Sequence, residues 1–435
     1  MSLIALITAC PSSTDDLCDF SVLKRLVDAV RDVRQQEDWT VGSYPRNLDE
    51  FAAWFDQNNS GSNIAFTTTG LEQGNGVVAR KKVRAGERVF FVPTHLMMTS
   101  VTSEISAFNV VQNDRLLSCF PSTMLALRLL YETHLGKKSA FKSYINILPT
   151  SFHLPFDYSL DDFEVLRGTM AWKNAIQLLF NGVKQFIYLH RLLKSIRGPI
   201  DSNQFTLSSF LWALSVVLTR QNSIPLMGYS NVMALIPGWD MCNHAPGIIT
   251  TYFDNQLNGI VCDAMHDFDE DEEITIFYGP RANSELLVYS GFCLDSNTFD
   301  RIVVELTFAN DDPLQKIRSL LLNKRKKEMT ITLQWDGRLI REQDTEILQI
   351  LVLDKDGLAA ALRSEKPQLW TEAAAIEANK CIHNALITQI GKLSSTSCCH
   401  PVIATYVASE MAILQRALKI LDHIQATPEI VVQYQ

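Results

Sequence analysis

Residues 231–244 read NVMALIPGWDMCNH and hold the chain's densest grouping of chemistry-bearing side chains. An apolar run from Val232 to Ile236 meets a Pro237-Gly238 break, and Trp239, Asp240, Met241, Cys242, Asn243 and His244 follow in direct succession. An apolar run ending in Pro-Gly predicts a strand or buried edge, then a turn. Polar groups this dense behind a buried run must bond to one another or to a ligand, because an unpaired polar group out of water is costly. Cys242 has no base close in sequence and sits amid apolar residues, so packing rather than nucleophilic attack is expected of it. Residues 272–279, EEITIFYG, add an acidic turn and a β-branched, aromatic strand reaching Tyr278 and Gly279.

The pair Asn243-His244, followed by Phe277-Tyr278-Gly279, resembles the SET-domain protein methyltransferases. In that family the Asn-His segment and the Tyr-Gly strand end thread past one another in a pseudoknot, with the methyl donor S-adenosyl-L-methionine beside the crossing. Threading of this kind is rare, so both halves in the right order are a specific signal. The stretch 73–76, Gln-Gly-Asn-Gly, followed by Val77 to Arg80, a turn at 84–87 and the apolar run 89–93, reads as a β-hairpin. The resemblance makes this the opening strand pair, with Gln73, Gly74 and Asn75 on one wall of the donor site. The family more often has Glu-Gly-Phe-Gly there. Backbone contacts survive that departure more readily than side-chain contacts.

Around these motifs the chain reads as helical. Residues 21–36 carry Leu23, Leu26, Val27, Val30 and Val33 at helical spacing, and 48–58 form a second short helix with Phe51, Trp54 and Phe55. Helical periods dominate 118–220, clearest at 124–135, 170–196 and 205–221; further candidates are 370–391 and 403–424. So long a helical insertion, with Ser143-Tyr144-Ile145-Asn146-Ile147-Leu148-Pro149, resembles the SET branch that includes the plant Rubisco large-subunit lysine methyltransferase. The implied fold class is α+β: a SET-domain β-fold with pseudoknot, interrupted by a helical insertion, plus a mostly α-helical C-terminal substrate-binding domain. The expected division is 1–60 N-terminal helical segment, 61–111 first part of the SET domain, 112–219 insertion, 220–299 catalytic part and 300–435 C-terminal domain.

Composition bounds the rest. The chain of 435 residues is long enough for two or three domains, and 47% hydrophobic with 20% charged residues describes a soluble globular protein. A net charge of −9 argues against a general nucleic-acid surface. No run reaches the roughly 18 apolar residues of a membrane span. The start, MSLIALITAC, lacks a basic n-region, so a buried or frayed terminus is expected rather than a signal peptide. Nine scattered cysteines without a CxxC suit a reducing compartment. Cys398-Cys399-His400 lacks the spaced partners of a zinc site. Asp267, Asp269 and Asp271 have Glu272 where a calcium loop needs glycine, so an acidic turn is expected and no metal. The basic run 324–327 reads as a solvated helix end, with nuclear import as the weaker reading.

Arg220-Gln221-Asn222, Trp239 ahead of 240–244, and Tyr278-Gly279-Pro280-Arg281 together resemble the actin-histidine N-methyltransferases. The likeness runs from about residue 42 to about 310 and is strongest from Arg220 to Asp300. Lysine-modifying relatives tend to carry an aromatic residue where this chain has Asn222. A sulfonium methyl transfers in line to a neutral nucleophile in a dry site. Histidine is largely neutral at pH 7 but must be held in one tautomer. An amide oxygen at Asn222 could accept the Nδ1 hydrogen and leave Nε2 to attack, while Trp239 would offer the ring a flat wall.

The resemblance implies Tyr278 and Asn222 as catalytic, with Trp239 and Arg281 also holding the substrate peptide. It puts Arg220 on the donor carboxylate, Asn243 on the amino group, and backbone at His244 around the adenine. Asp240, Met241 and Cys242 complete that wall, and Ser290, in Ser290-Gly291-Phe292, closes it. Arg46 is a further carboxylate contact across a gap in the local alignment. The cofactor is then S-adenosyl-L-methionine, the product S-adenosyl-L-homocysteine, and the partner actin. Neither nucleic acid nor membrane is expected. A monomer in the cytoplasm is expected, with access to the nucleus left open. The alternative is a protein-lysine N-methyltransferase acting on a histone or another protein.

Overall fold

In a computed structural model of the chain, the described residues are 2–40, 47–59, 62–68, 74–111, 113–196, 198–226, 228–309, 311–339, 342–363, 371–393 and 400–426. They form two compact units. One comprises Met1–Asp157 with Ile176–Pro280; the other comprises Tyr158–Ala175 with Arg281–Gln435. Arg46, Gln73 and the Cys398-Cys399 pair lie outside the described residues.

The first unit opens on helices whose apolar stripes were readable. Helix Phe20–Gln35 buries Leu23, Leu26, Val27, Val30 and Val33, and its N-cap Asp19 accepts from Ser21 N. Helix Leu48–Asn58 is capped by the Asn47 side chain, and it buries Phe51 and Phe55 completely. Both rings meet Phe66 edge-on, at centroid distances of 4.8 and 5.2 Å. Helix Leu207–Arg220 starts in a Thr206/Ser209 capping box, and Glu37 accepts from Leu207 N and Ser208 N at 2.7 and 2.8 Å.

The strands are short. Strands β1 (Ile64–Thr68) and β2 (Asn75–Ala79) form an antiparallel hairpin. Strand β3 (Arg88–Pro93) lies at one side of a sheet ordered β3-β9-β8, and β4 (Met98–Thr99) belongs to a sheet ordered β4-β6-β5. The remaining members are β5 (Asn222–Leu226), β6 (Tyr229–Leu235), β8 (Thr251–Asp254) and β9 (Gly259–Asp263). Strand β7 (Asn243–His244) pairs parallel with β10 (Thr275–Ile276).

The expected hairpin across the 84–87 turn does not form. Strand β2 pairs with β1 instead, and β3 with β9. The reason is competition for backbone partners. The acidic segment takes the free edge of β2, through Ala79 N to Glu272 O at 3.0 Å and Ile274 N to Val77 O at 2.7 Å. It also holds the turn itself, with Val83 bridged to Phe268 and Asp267 accepting from Ala85 N. Local alternation cannot distinguish these partners, because each strand buries one face either way.

In the second unit, strands β11 (Arg301–Glu305) and β12 (Thr330–Gln334) pair antiparallel. They share a core with helices that include Gln315–Lys324, Glu342–Val352, Glu372–Leu393 and Pro401–Ala426; Leu321, Ile331, Leu386 and Leu414 are among its buried members. The basic run differs from the solvated end expected. Arg325 and Lys327 both pair with Glu346, the latter at 3.1 Å, and Lys324 Nζ donates to Leu362 O.

Candidate functional site

The site grows from the 236–244 turn. Gly238 sits at φ +85°, and a Cβ there would lie 2.7 Å from Phe55 Cε2, so both the backbone angle and the space require glycine. The turn continues as a 3₁₀ segment, Trp239–Met241, with Asp240 N donating to Ile236 O and Cys242 N to Trp239 O. It delivers Asn243 and His244 into the parallel pairing with Thr275 and Ile276. The strand expected over 274–278 therefore stops early. Tyr278 N donates to the His244 ring Nδ1 at 3.2 Å, not to a carbonyl, which ends the ladder.

That bond makes Nδ1 an acceptor, so a neutral His244 carries its hydrogen on Nε2. The Tyr278 ring lies 5.0 Å from the imidazole, and its hydroxyl donates to Cys242 O at 2.8 Å. The phenol proton is thus committed to a carbonyl, leaving the phenol oxygen to act as an acceptor. Asn243 Nδ2 donates to Glu273 Oε1 at 2.6 Å. Cys242 is buried, and burial pushes its thiol well above the ordinary range, which removes the thiolate a nucleophile needs.

Asp240 is the most perturbed acid in this cluster. Burial raises its carboxyl to about 7, against the opposing pull of Arg220 and of a hydrogen bond from Tyr144. Tyr144 is fully buried, and its hydroxyl donates to Asp240 Oδ2. Asp240 Oδ1 is screened from solvent without a hydrogen bond. The Arg220 guanidinium lies 6.0 Å from the Phe152 ring centre, with Nη1 donating to Thr219 Oγ1.

Asn222 begins β5 opposite Ala234, and its Oδ1 accepts from Ser223 N at 2.9 Å. A carbonyl oxygen has a second lone pair, so this local bond leaves room for another donor. Trp239 is pinned by its indole N–H to Thr251 Oγ1 at 3.1 Å. Gly74 takes φ +79° ahead of β2, and Asn75 Nδ2 donates to Ile147 O. Thus Arg220, Asp240, Met241, Cys242, Asn243, His244 and Tyr278 converge, while Asn222, Trp239, Gly74 and Asn75 belong to the same unit. Arg281 and Ser290 belong to the second unit. Arg281 is exposed with its carbonyl held by Asn297, and Ser290 ends helix Asn283–Ser290.

Sequence reasoning missed Tyr144, Glu273 and Thr251 as partners of Asp240, Asn243 and Trp239. Tyr144 and Glu273 stand inside stretches that drew attention, at 143–149 and 272–279, and Thr251 in none, but nothing local marks a side chain's distant partner.

The cluster suits a zwitterionic, sulfonium-bearing donor. Arg220 offers charge to a carboxylate, and Glu273, which accepts from Asn243, offers an acceptor to cationic groups. Gly74 places no Cβ within 4 Å of anything, so backbone is open to close approach.

Residues 74–279 match the SET domain family model. Actin-histidine N-methyltransferase of Gallus gallus is 31% identical over 313 residues, 70% of this chain and 52% of that protein. The Homo sapiens protein of the same name is 30% identical over the same shares. The chain spans about half the length of these curated relatives. Among solved structures, the SET domain of LSMT bound to lysine and AdoHcy superposes with a TM-score of 0.67 at 16% identity, covering 87% of this chain and 91% of that one. Rubisco LSMT bound to AdoMet gives 0.62 at 17%, covering 88% and 93%.

Proposed function

Residues 74–279 match the SET domain family, and from that premise we propose that the chain is a protein-histidine N-methyltransferase acting on actin. The reaction is transfer of a methyl group from S-adenosyl-L-methionine to Nε2 of a histidine. What carries the reading is the pairing of Asn222 with Trp239 around the Asn-His and Tyr-Gly segments, in a chain 30–31% identical to actin-histidine N-methyltransferases.

S-adenosyl-L-methionine supplies an electrophilic methyl on a sulfonium and leaves as S-adenosyl-L-homocysteine. The chain supplies position, polarity and dryness. Arg220 and Asn243 hold the amino-acid end of the donor, with Asp240 beside them, and Gly74 and Asn75 line the opposite wall. Trp239, fixed by Thr251, gives the substrate imidazole a flat apolar face. Asn222 Oδ1 accepts the Nδ1 hydrogen with its second lone pair, which leaves the Nε2 lone pair for the methyl. Tyr278, with its proton on Cys242 O, turns an oxygen lone pair toward the acceptor nitrogen and the methyl. After transfer the Nδ1 proton is lost to solvent. We place the enzyme in the cytoplasm as a monomer. Nuclear entry through 324–327 would require Arg325 and Lys327 to leave Glu346.

The likeness in fold to LSMT bound to lysine favours the lysine alternative. The two readings separate in one assay. Actin peptides carrying His or Lys at the target position are compared by kcat/KM, with mass spectrometry locating the methyl. The proposal expects methylhistidine and a preference for His. It also expects Asn222→Phe to erode that preference by roughly 5- to 150-fold, the loss from a buried unpaired ring N–H. A wild type that prefers lysine, or an unchanged His/Lys ratio in Asn222→Phe, hands the reaction to the alternative.

A further inference from the structure

Trp239 is half-buried, and its indole N–H donates to Thr251 Oγ1 at 3.1 Å. The same hydroxyl donates to Cys262 Sγ at 3.7 Å. Thr251 and Cys262 are opposed in the register of β8 and β9, so their side chains share one face of that sheet. Cys262 is buried, and burial pushes its thiol up to about 12, so its sulfur is a neutral, weak acceptor. A hydroxyl has one hydrogen. With that hydrogen on Cys262, the oxygen keeps its lone pairs for the indole, and the relay runs from Trp239 through Thr251 to Cys262. Without the hydroxyl, the N–H edge of a half-buried ring turns toward water.

We propose that Thr251 is a positioning residue that acts through Trp239, holding the indole plane at the angle on which a flat imidazole stacks and so setting the preference for histidine over lysine. This rests on the reading that Trp239 walls the substrate. An imidazole is planar, and its Nε2 is aimed only if the face beneath it is fixed. A lysine reaches the methyl on a flexible four-carbon stem and needs no such plane. The Trp239 backbone is already set by the turn after Gly238, where Cys242 N donates to Trp239 O. What remains to be fixed is the rotation of the side chain. Thr251 supplies that restraint from a separate strand, and its hydroxyl is the group the indole uses.

The test is steady-state kinetics of the full chain on actin peptides carrying His or Lys at the target position, beside calorimetry with S-adenosyl-L-homocysteine. Wild type is compared with Thr251→Val, Thr251→Ser, Trp239→Phe and the Thr251→Val/Trp239→Phe double variant. Thr251→Val keeps the shape and the strand preference and loses the hydroxyl. It should lower the His/Lys ratio of kcat/KM by roughly 3- to 10-fold, the worth of one neutral hydrogen bond. The loss should fall mainly on kcat for the His peptide, with donor affinity held. Thr251→Ser should bring the ratio back to within about twofold of wild type. Trp239→Phe has no N–H to place, so adding Thr251→Val to it should cost nothing more. An unchanged ratio in Thr251→Val would overturn the proposal, as would a Ser variant as impaired as Val or a Val penalty undiminished beside Trp239→Phe. Should Thr251→Val fail to fold, a wild-type ratio in Trp239→Phe overturns it. A wild-type ratio in Trp239→Ala, or a wild type that methylates neither peptide, instead sinks the substrate-site reading beneath it.

Discussion

Each unit contains a buried tyrosine bonded to a buried carboxylate, and the two pairs differ in what remains after that bond. In the second unit Tyr406 donates to Glu410 Oε1, and the same oxygen accepts from Met170 N at 2.9 Å. The Tyr406 oxygen accepts from Ala171 N, also at 2.9 Å. Glu410 Oε1 and the Tyr406 oxygen cap the start of helix Met170–Ser195, where backbone N–H groups lack partners of their own. In the first unit Tyr144 donates to Asp240 Oδ2, and Asp240 Oδ1 is buried without a hydrogen bond, with Arg220 acting on the carboxylate electrostatically. Burial raises both acids to about 7. Perturbation alone therefore does not mark a site. The two differ in that Asp240 Oδ1 is buried without a hydrogen bond.

The largest effect should come from the satisfied pair. Glu410→Ala strands the Met170 amide and the Tyr406 hydroxyl in a buried place and should cost about 2–5 kcal/mol in urea unfolding. Its affinity for S-adenosyl-L-homocysteine should hold. Loss of binding with stability intact would show that the comparison has its two halves reversed.

Asp240→Asn should do the opposite. The amide keeps the shape and removes a charge that burial opposes, so at pH 8 stability should match or exceed wild type. Donor affinity should weaken by about 1.5–3 kcal/mol, a bond to a charged group. A destabilised variant with normal donor affinity would put Asp240 with Glu410 as scaffold. Tyr278→Phe sharpens the same half. Its ring remains while the hydroxyl's contact is lost, so kcat should fall by roughly tenfold or more, the cost of a disturbed reacting geometry. Donor affinity should stay constant. Wild-type turnover would leave Tyr278 as a packing residue.

The smallest effect is in pH. Ordinary values are 3.8 for Asp and 4.5 for Glu, and both groups sit near 7 when folded. Between those limits the folded state binds more protons, so stability falls as pH rises toward 7 and levels off above it. Asp240→Asn and Glu410→Gln should each flatten that slope in thermal unfolding followed across about pH 5 to 8. A slope left intact in both variants would deny the raised values.

What could be read from the sequence follows the range of the forces involved. The helix Phe20–Gln35 was legible because its stripe is written at helical spacing. That the Asn243-His244 segment meets the strand ahead of Tyr278 was legible because both segments are marked locally and their order is specific, and β7 and β10 pair accordingly. The hairpin expected across 84–87 failed because the acidic segment near Glu272, far along the chain, outcompeted the neighbouring strand for the edge of β2. The bond from Tyr144 to Asp240 was not legible for the same reason, since the partner lies 96 positions away.

Gly238 carries a consequence for how this protein can change. Any side chain there meets two independent obstacles, the angle of +85° and the Phe55 ring at 2.7 Å. A second-site suppressor that trims Phe55 removes only the steric one, and it opens a cavity in the aromatic cluster while doing so. Genetic selection for revertants of Gly238→Ala should therefore return the glycine codon itself, with compensating pairs rare. The turn that carries Trp239 and Asp240 is in this sense evolutionarily stiff.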